Sequence, residues 1–303
     1  MSHDYSYRSV LAASERIHWR VEDLINDQRT LDFSRPFMPE SLARTGALGF
    51  LDADARRVLN QIRGHGYLYI FGLVEEFILP FVLDHARPQL GGDDHRVRAL
   101  LGFADEEAKH IHLFRMFRAE FLRGFGTPCE VIGPAAEIAR AVLAHRPLAV
   151  ALVILQIEWM TQRHFRDSVR DDQELDPQFK SLLRHHWMEE AQHARLDTLL
   201  VESLAANATS AEIDRSIEDY WKIGALIDGG LQQQTQLDLE ALERATGILP
   251  HAQERDEFMR VQLQANRFTF LGSGMTHPRF LDTLGTVSPK ARRMVENAVA
   301  TFQ

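Results

Sequence analysis

The chain of 303 residues carries 34 basic and 43 acidic side chains for a net charge of −9, and 45% of its residues are hydrophobic. That balance excludes a disordered chain, gives enough apolar material for a large core, and argues against nucleic acid as a partner, since phosphate binding relies on clustered Lys and Arg. The single cysteine, Cys129, excludes an internal disulfide and a cysteine-rich metal site.

The polar start, Met1 to Tyr5, lacks the basic and apolar pattern of a secretory signal, so a cytoplasmic location is expected. The longest uncharged apolar run, Pro147 to Ile157, ends on Glu158 and is shorter than the ~20 residues a membrane-spanning helix needs. No membrane is expected. Proline and glycine are sparse, and helical periodicity predicts helices over residues 8–26, 51–87, 93–124, 134–172, 177–206, 210–246, 251–272 and 288–301.

Breaks fall at Arg87–Gly92, Gly124–Pro128 and Gly247–Pro250, and Asp176 followed by Pro177 reads as an N-cap and first helical position. No segment resembles an interdomain linker. The expectation is one all-α domain over 1–303, with a four-helix bundle at about 51–206 and extra helices at 8–26 and 210–301.

A repeat organises the middle of the chain. A shift of 83 residues lays Glu106-Glu107-Ala108-x-His110 on Glu189-Glu190-Ala191-x-His193, Leu100 on Leu183 and Glu75 on Glu158. In a helix, residues three apart share a face, so Glu-x-x-His aims a carboxylate and an imidazole at one spot. With 22 Glu and 14 His, about one such match arises by chance; the chain has three.

Glu15-Arg16-Ile17-His18 is read as the chance match, because no acidic residue lies upstream to start a repeat. Glu107-x-x-His110 and Glu190-x-x-His193 each follow, by 32 residues, a glutamate in an apolar helix: Glu75 and Glu158. Four converging carboxylates in an apolar bundle repel one another and resist burial unless a cation binds them. One Glu from each of two helices plus Glu-x-x-His from each of two others is the pattern of ferritin-like di-iron and di-manganese bundles.

Glu76 competes with Glu75 for the first position, and the repeat favours Glu75. His186 lies at i−4 from Glu190 and i−7 from His193, on the same stripe, while its counterpart in the first repeat is Phe103. Spacing alone leaves open whether His186 is a ligand. His112, two positions from His110, and His185, next to His186, face elsewhere, His65, His85, His95, His145 and His164 have no paired carboxylate at ligand spacing, and all read as surface or packing residues, while Trp159, Trp187 and Trp221 read as core.

The order Glu, Glu-x-x-His, Glu, His-x-x-x-Glu-x-x-His, with further helices on both sides, resembles the p-aminobenzoate N-oxygenase family of di-iron oxygenases. The resemblance implies two iron ions per chain, cycling between Fe2+ and Fe3+, held by Glu75, Glu107, His110, Glu158, His186, Glu190 and His193. It implies an oxygenase that uses O2 to oxidise a small molecule, such as an amine or aryl amine, with electrons from a reductase or small reductant. Manganese suits the same donors. The motifs span residues 75 to 193, and no role follows for Ser273–Phe280.

Two relatives fit less well. The ribonucleotide reductase small subunit carries a radical tyrosine where this chain has Phe114, and rubrerythrins need cysteines that this chain lacks. The competing readings are a ferroxidase, metal-storage or manganese catalase-like protein, and a metal-free buried polar network. A homodimer is the base-rate expectation.

Overall fold

The computed structural model describes residues 3–298 and Phe302. Among them there is no β-strand, only an isolated bridge between Asn26 and Arg29. The fold is all-α and ferritin-like. Four long helices form the bundle: α2 (Ala53–Ala86), α3 (Asp94–Phe125), α5 (Pro147–His164) and α6 (Pro177–Ala206). α2 packs chiefly on α3 and α5 on α6, so the two halves of the repeat are two antiparallel hairpins.

Around the bundle lie α1 (Tyr7–Ser14), α4 (Ala135–Leu143), α7 (Ser210–Thr246), α8 (Ala252–Arg267), α9 (Pro278–Val287) and α10 (Pro289–Ala298). α1 packs on α3 and α6, while α7 crosses α2 and α5 on the other side. α4 rests on α2. By length and composition the stretch Ala53–Gln89 would suit a membrane span, but 67% of its apolar window is buried inside the bundle. Its hydropathy is that of a core helix.

Local chemistry sets the helix ends. Asp52 caps α2 by accepting from Ala55 N at 2.8 Å. Asp176 caps α6 by accepting from Phe179 N at 2.6 Å, with Pro177 in the first turn, as the sequence indicates. Thr209 and Glu212 form a reciprocal capping box on α7. Gly126 and Gly247 close α3 and α7 with φ of 75° and 72°, a left-handed conformation that glycine adopts without strain.

Three expectations need correction. The helix expected over 8–26 is two pieces, Tyr7–Ser14 and Val21–Leu24, because the chain turns at Glu15–Arg20 to lay Trp19 against α3. The helix expected over 134–172 is interrupted at Ala144–Arg146: Arg146 is extended ahead of Pro147, which opens α5, and residues 165–169 continue as a π-turn. The helix expected over 251–272 does run to Gly272, its last turn a second π-turn at Phe268–Gly272, but α9 lies where no helix is expected. The end of the helix expected over 288–301 lies outside the described residues.

Candidate metal centre

The four bundle helices each send side chains to one buried point. α2 supplies Glu75, α3 Glu107 and His110, α5 Glu158, and α6 His186, Glu190 and His193. None of the seven is more than 2% exposed. Glu76, one residue round the helix, is instead half-exposed and pairs with Arg115 at 2.7 Å.

Two overlapping donor sets emerge, each with its ligand atoms within 4.8 Å of one another: Glu75, His110, His186 and Glu190, and Glu107, His110, Glu190 and His193. Glu190 spans both halves. Its Oε1 lies 2.7 Å from His186 Nε2 and 3.2 Å from His110 Nδ1, and its Oε2 lies 3.3 Å from His193 Nδ1. Glu107 spans them too, with Oε1 3.0 Å from His193 Nδ1 and Oε2 3.7 Å from His110 Nδ1. Glu75 Oε1 is 3.2 Å from His186 Nε2, and Glu158 faces Glu190.

Many of the atoms at the centre are left without hydrogen-bond partners. Both oxygens of Glu107, Glu75 Oε2, Glu158 Oε2, Glu190 Oε1, His110 Nδ1 and His193 Nδ1 are buried and unsatisfied. Orphaned buried acceptors are costly, and so many converging on one point fit a pair of cations. The donor set fits hard or borderline divalent ions such as iron or manganese.

Burial and the neighbouring charges pull the groups of the cluster in opposite directions. Burial, reinforced by Glu107 and Glu190, raises Glu75 well above the carboxylate range, and burial and Glu190 do the same to Glu158. Burial opposes ionisation of Glu107 and Glu190, but their neighbours outweigh it and hold Glu107 at about 2 and Glu190 well below the usual range. Burial likewise opposes protonation of His110 and His193, yet the surrounding glutamates raise both well above the imidazole range. His186 is lowered, chiefly by burial.

Residues assigned no role in the sequence analysis hold the imidazoles in place. Glu106 Oε2 lies 2.6 Å from His193 Nε2, and Glu189 Oε2 lies 2.9 Å from His110 Nε2. Each glutamate reaches across to the histidine of the other hairpin and turns its Nδ1 toward the centre. Ser14 donates to Glu106 Oε1 at 2.5 Å, and Lys109 Nζ binds Glu189 Oε1 at 2.5 Å. Trp19 stacks on His110, with centroids 6.2 Å apart, beneath the Lys109 ammonium at 4.2 Å. The signal was the repeated glutamate doublet.

Asp197, one turn beyond His193, is also buried with both oxygens unpartnered, and burial raises its carboxyl well above the usual range. Glu15 and His18 are exposed, with Glu15 on Arg98. His112 is exposed and His185 bonds the Ser181 carbonyl at 2.7 Å, while His65 and His164 are buried but belong to neither donor set. Trp159, Trp187 and Trp221 are half-buried, against His277, Phe165 and Tyr220 respectively.

Ser273–Phe280 also finds its place. Arg163 donates to the Ser273 carbonyl at 3.1 Å and to Thr276 Oγ1 at 2.5 Å, and His164 bonds Ser273 Oγ at 2.9 Å. The segment braces the part of α5 that carries Glu158.

No family model matches the sequence, and no curated protein matches it. Solved structures do match in fold. A tyrosine-to-phenylalanine variant of an R2-like ligand-binding oxidase, aerobically reconstituted with a Mn/Fe cofactor, aligns with a TM-score of 0.50 at 14% identity, covering 91% of this chain and 94% of that one. A glycine-to-leucine variant with an aerobically reconstituted Fe/Fe cofactor gives a TM-score of 0.47 at 14% identity over 87% and 93% of the two chains. At this identity the first of these likenesses speaks to the helical fold alone.

Proposed function

We propose that this protein is a di-metal oxidase that uses O2 to oxidise a small molecule, with iron as its preferred metal. The observation that carries the reading is the ring of unsatisfied carboxylate and imidazole atoms at the bundle centre. Glu75, Glu107, His110, Glu158, His186, Glu190 and His193 would hold the two ions. Two iron ions held there supply redox chemistry toward O2 that the side chains lack.

The chain's own residues do the rest. Glu106 and Glu189 fix the orientation of His193 and His110 and raise their basicity as donors. Phe71, Phe103 and Phe114 pack against the histidines and keep water from the centre. As an N-oxygenase, the protein would place one oxygen atom of O2 on an amine nitrogen and release the other as water. An external donor, a reductase or small reductant, would supply two electrons with two protons.

The test is metal analysis of purified protein, then anaerobic Fe(II) loading, then O2 uptake with and without an aryl amine. Two irons per chain and amine-dependent O2 consumption support the reading. Ferric mineral without substrate oxidation would favour the ferroxidase reading, catalase activity with bound manganese the catalase-like one, and failure to bind either metal the polar network.

A further inference from the structure

An apolar cavity of about 440 Å3 lies between α2, α4, α5 and α7. Its inner wall includes Val74 and Ile157, the chain neighbours of Glu75 and Glu158, and Phe71, whose ring meets that of His186 edge-on at 5.4 Å. The cavity is therefore one side chain away from the candidate metal centre. Its outer rim includes Leu226 and Gln233, both exposed on α7, so it opens to solvent there. Its volume lies within the range of pockets that take drug-sized ligands.

No residue lining this cavity carries a charge, and its one polar side chain, Gln233, is at the rim. A guanidinium does line a neighbouring cavity of about 260 Å3, which shares Ala225 and Ile227 with the first. That group, Arg267, is already held by Asp228 through bonds of 2.6 and 2.8 Å. A ligand entering the large cavity thus meets hydrocarbon and aromatic walls and no partner for a carboxylate, whose burial unpaired is unfavourable.

We infer that the substrate is an uncharged, predominantly apolar molecule bound in this cavity, with the oxidised group directed past Phe71. An aryl amine of this kind is neutral at physiological pH and carries an alkyl or aryl substituent; one bearing a carboxylate is excluded. The inference rests on the di-metal oxidase reading and names the substrate class of that site.

The test uses iron-loaded protein under anaerobic conditions at neutral pH, titrated calorimetrically with 4-butylaniline and with 4-aminobenzoate. The neutral amine should bind roughly 100-fold more tightly than the carboxylate. Leu226→Lys, which adds an ammonium at the exposed rim, should narrow that gap, and Ile138→Trp, which fills the α4 wall, should weaken 4-butylaniline at least ~10-fold while iron stoichiometry stays unchanged. Equal or tighter binding of 4-aminobenzoate, no binding of 4-butylaniline, or indifference to both substitutions would overturn the inference. Iron stoichiometry is read separately. A protein that takes up two irons yet prefers the carboxylate refutes the substrate class alone, and one that takes up none refutes the oxidase reading.

Discussion

Glu106 on α3 and His193 on α6 lie 2.6 Å apart, Oε2 to Nε2, across the interface between the two hairpins. The mirror contact joins Glu189 on α6 to His110 on α3 at 2.9 Å. Glu106→Gln and Glu189→Gln keep the side-chain volume but remove the charge that fixes each imidazole. Each should weaken divalent metal binding by about 10 to 100-fold, read by competition against a chromophoric chelator. Unchanged affinity in both variants would show that the imidazoles do not depend on this contact.

Metal uptake should release protons. Glu75 and Glu158 are raised well above the carboxylate range and His110 and His193 well above the imidazole range, so all four favour their protonated forms. Two divalent cations bring positive charge that competes with these protons, so filling the site should release protons. Because the cations compete with protons on raised groups, affinity should rise with pH. Calorimetry in buffers of different ionisation enthalpy counts the protons, and release close to zero would contradict this competition.

Acid should destabilise the fold at two buried histidines outside the donor sets. Burial, joined by Arg118 for His65 and Arg163 for His164, lowers each from 6.5 to about 3. A lowered pKa contributes stability that is fully present above the unfolded value of 6.5 and is lost as pH falls toward 3. Within that window each histidine should cost about 1.4 kcal/mol per pH unit. His164→Gln, which can keep a bond to Ser273, should flatten the acid limb of a Tm-versus-pH profile, and an unaltered slope would assign the loss elsewhere.

Gly274 is required by contact. A Cβ there would stand 2.5 Å from the Gln156 carbonyl oxygen and 2.8 Å from its Cγ, and the backbone oxygen cannot move aside without shifting α5. Gly274→Ala should therefore lower stability by about 1 to 3 kcal/mol and, by displacing the helix that carries Glu158, reduce bound metal below that of wild type. Thermal melts and elemental analysis check both. A fully stable, fully loaded variant would show that the brace yields.

The candidate ligands were legible because metal binding demands particular residue types at helical spacing, and the 83-residue shift repeats them. The helices over 177–206 and 210–246 match because their caps lie in the local sequence. The break before Pro147 also had its signal in the residue order, but continuous apolar periodicity on both sides masked it. Glu106 and Glu189 were visible as doublets, yet their role depends on which hairpin each faces, a property of tertiary packing. The cavity was not legible, since it is bounded by segments from four regions of the chain and defined by space that no residue fills.

The crosswise contacts have a consequence for how the centre is assembled. Under the 83-residue shift Glu106 maps to Glu189 and His110 to His193, so residue i of one hairpin touches j of the other, and the reverse holds. That is the contact rule of a two-fold dimer, here carried within one polypeptide. Neither hairpin alone owns an oriented pair of imidazoles. Chains cut between α3 and α5 should need each other, and Phe103, which takes the place of His186 in the first hairpin, marks the position where the two halves have ceased to be equivalent.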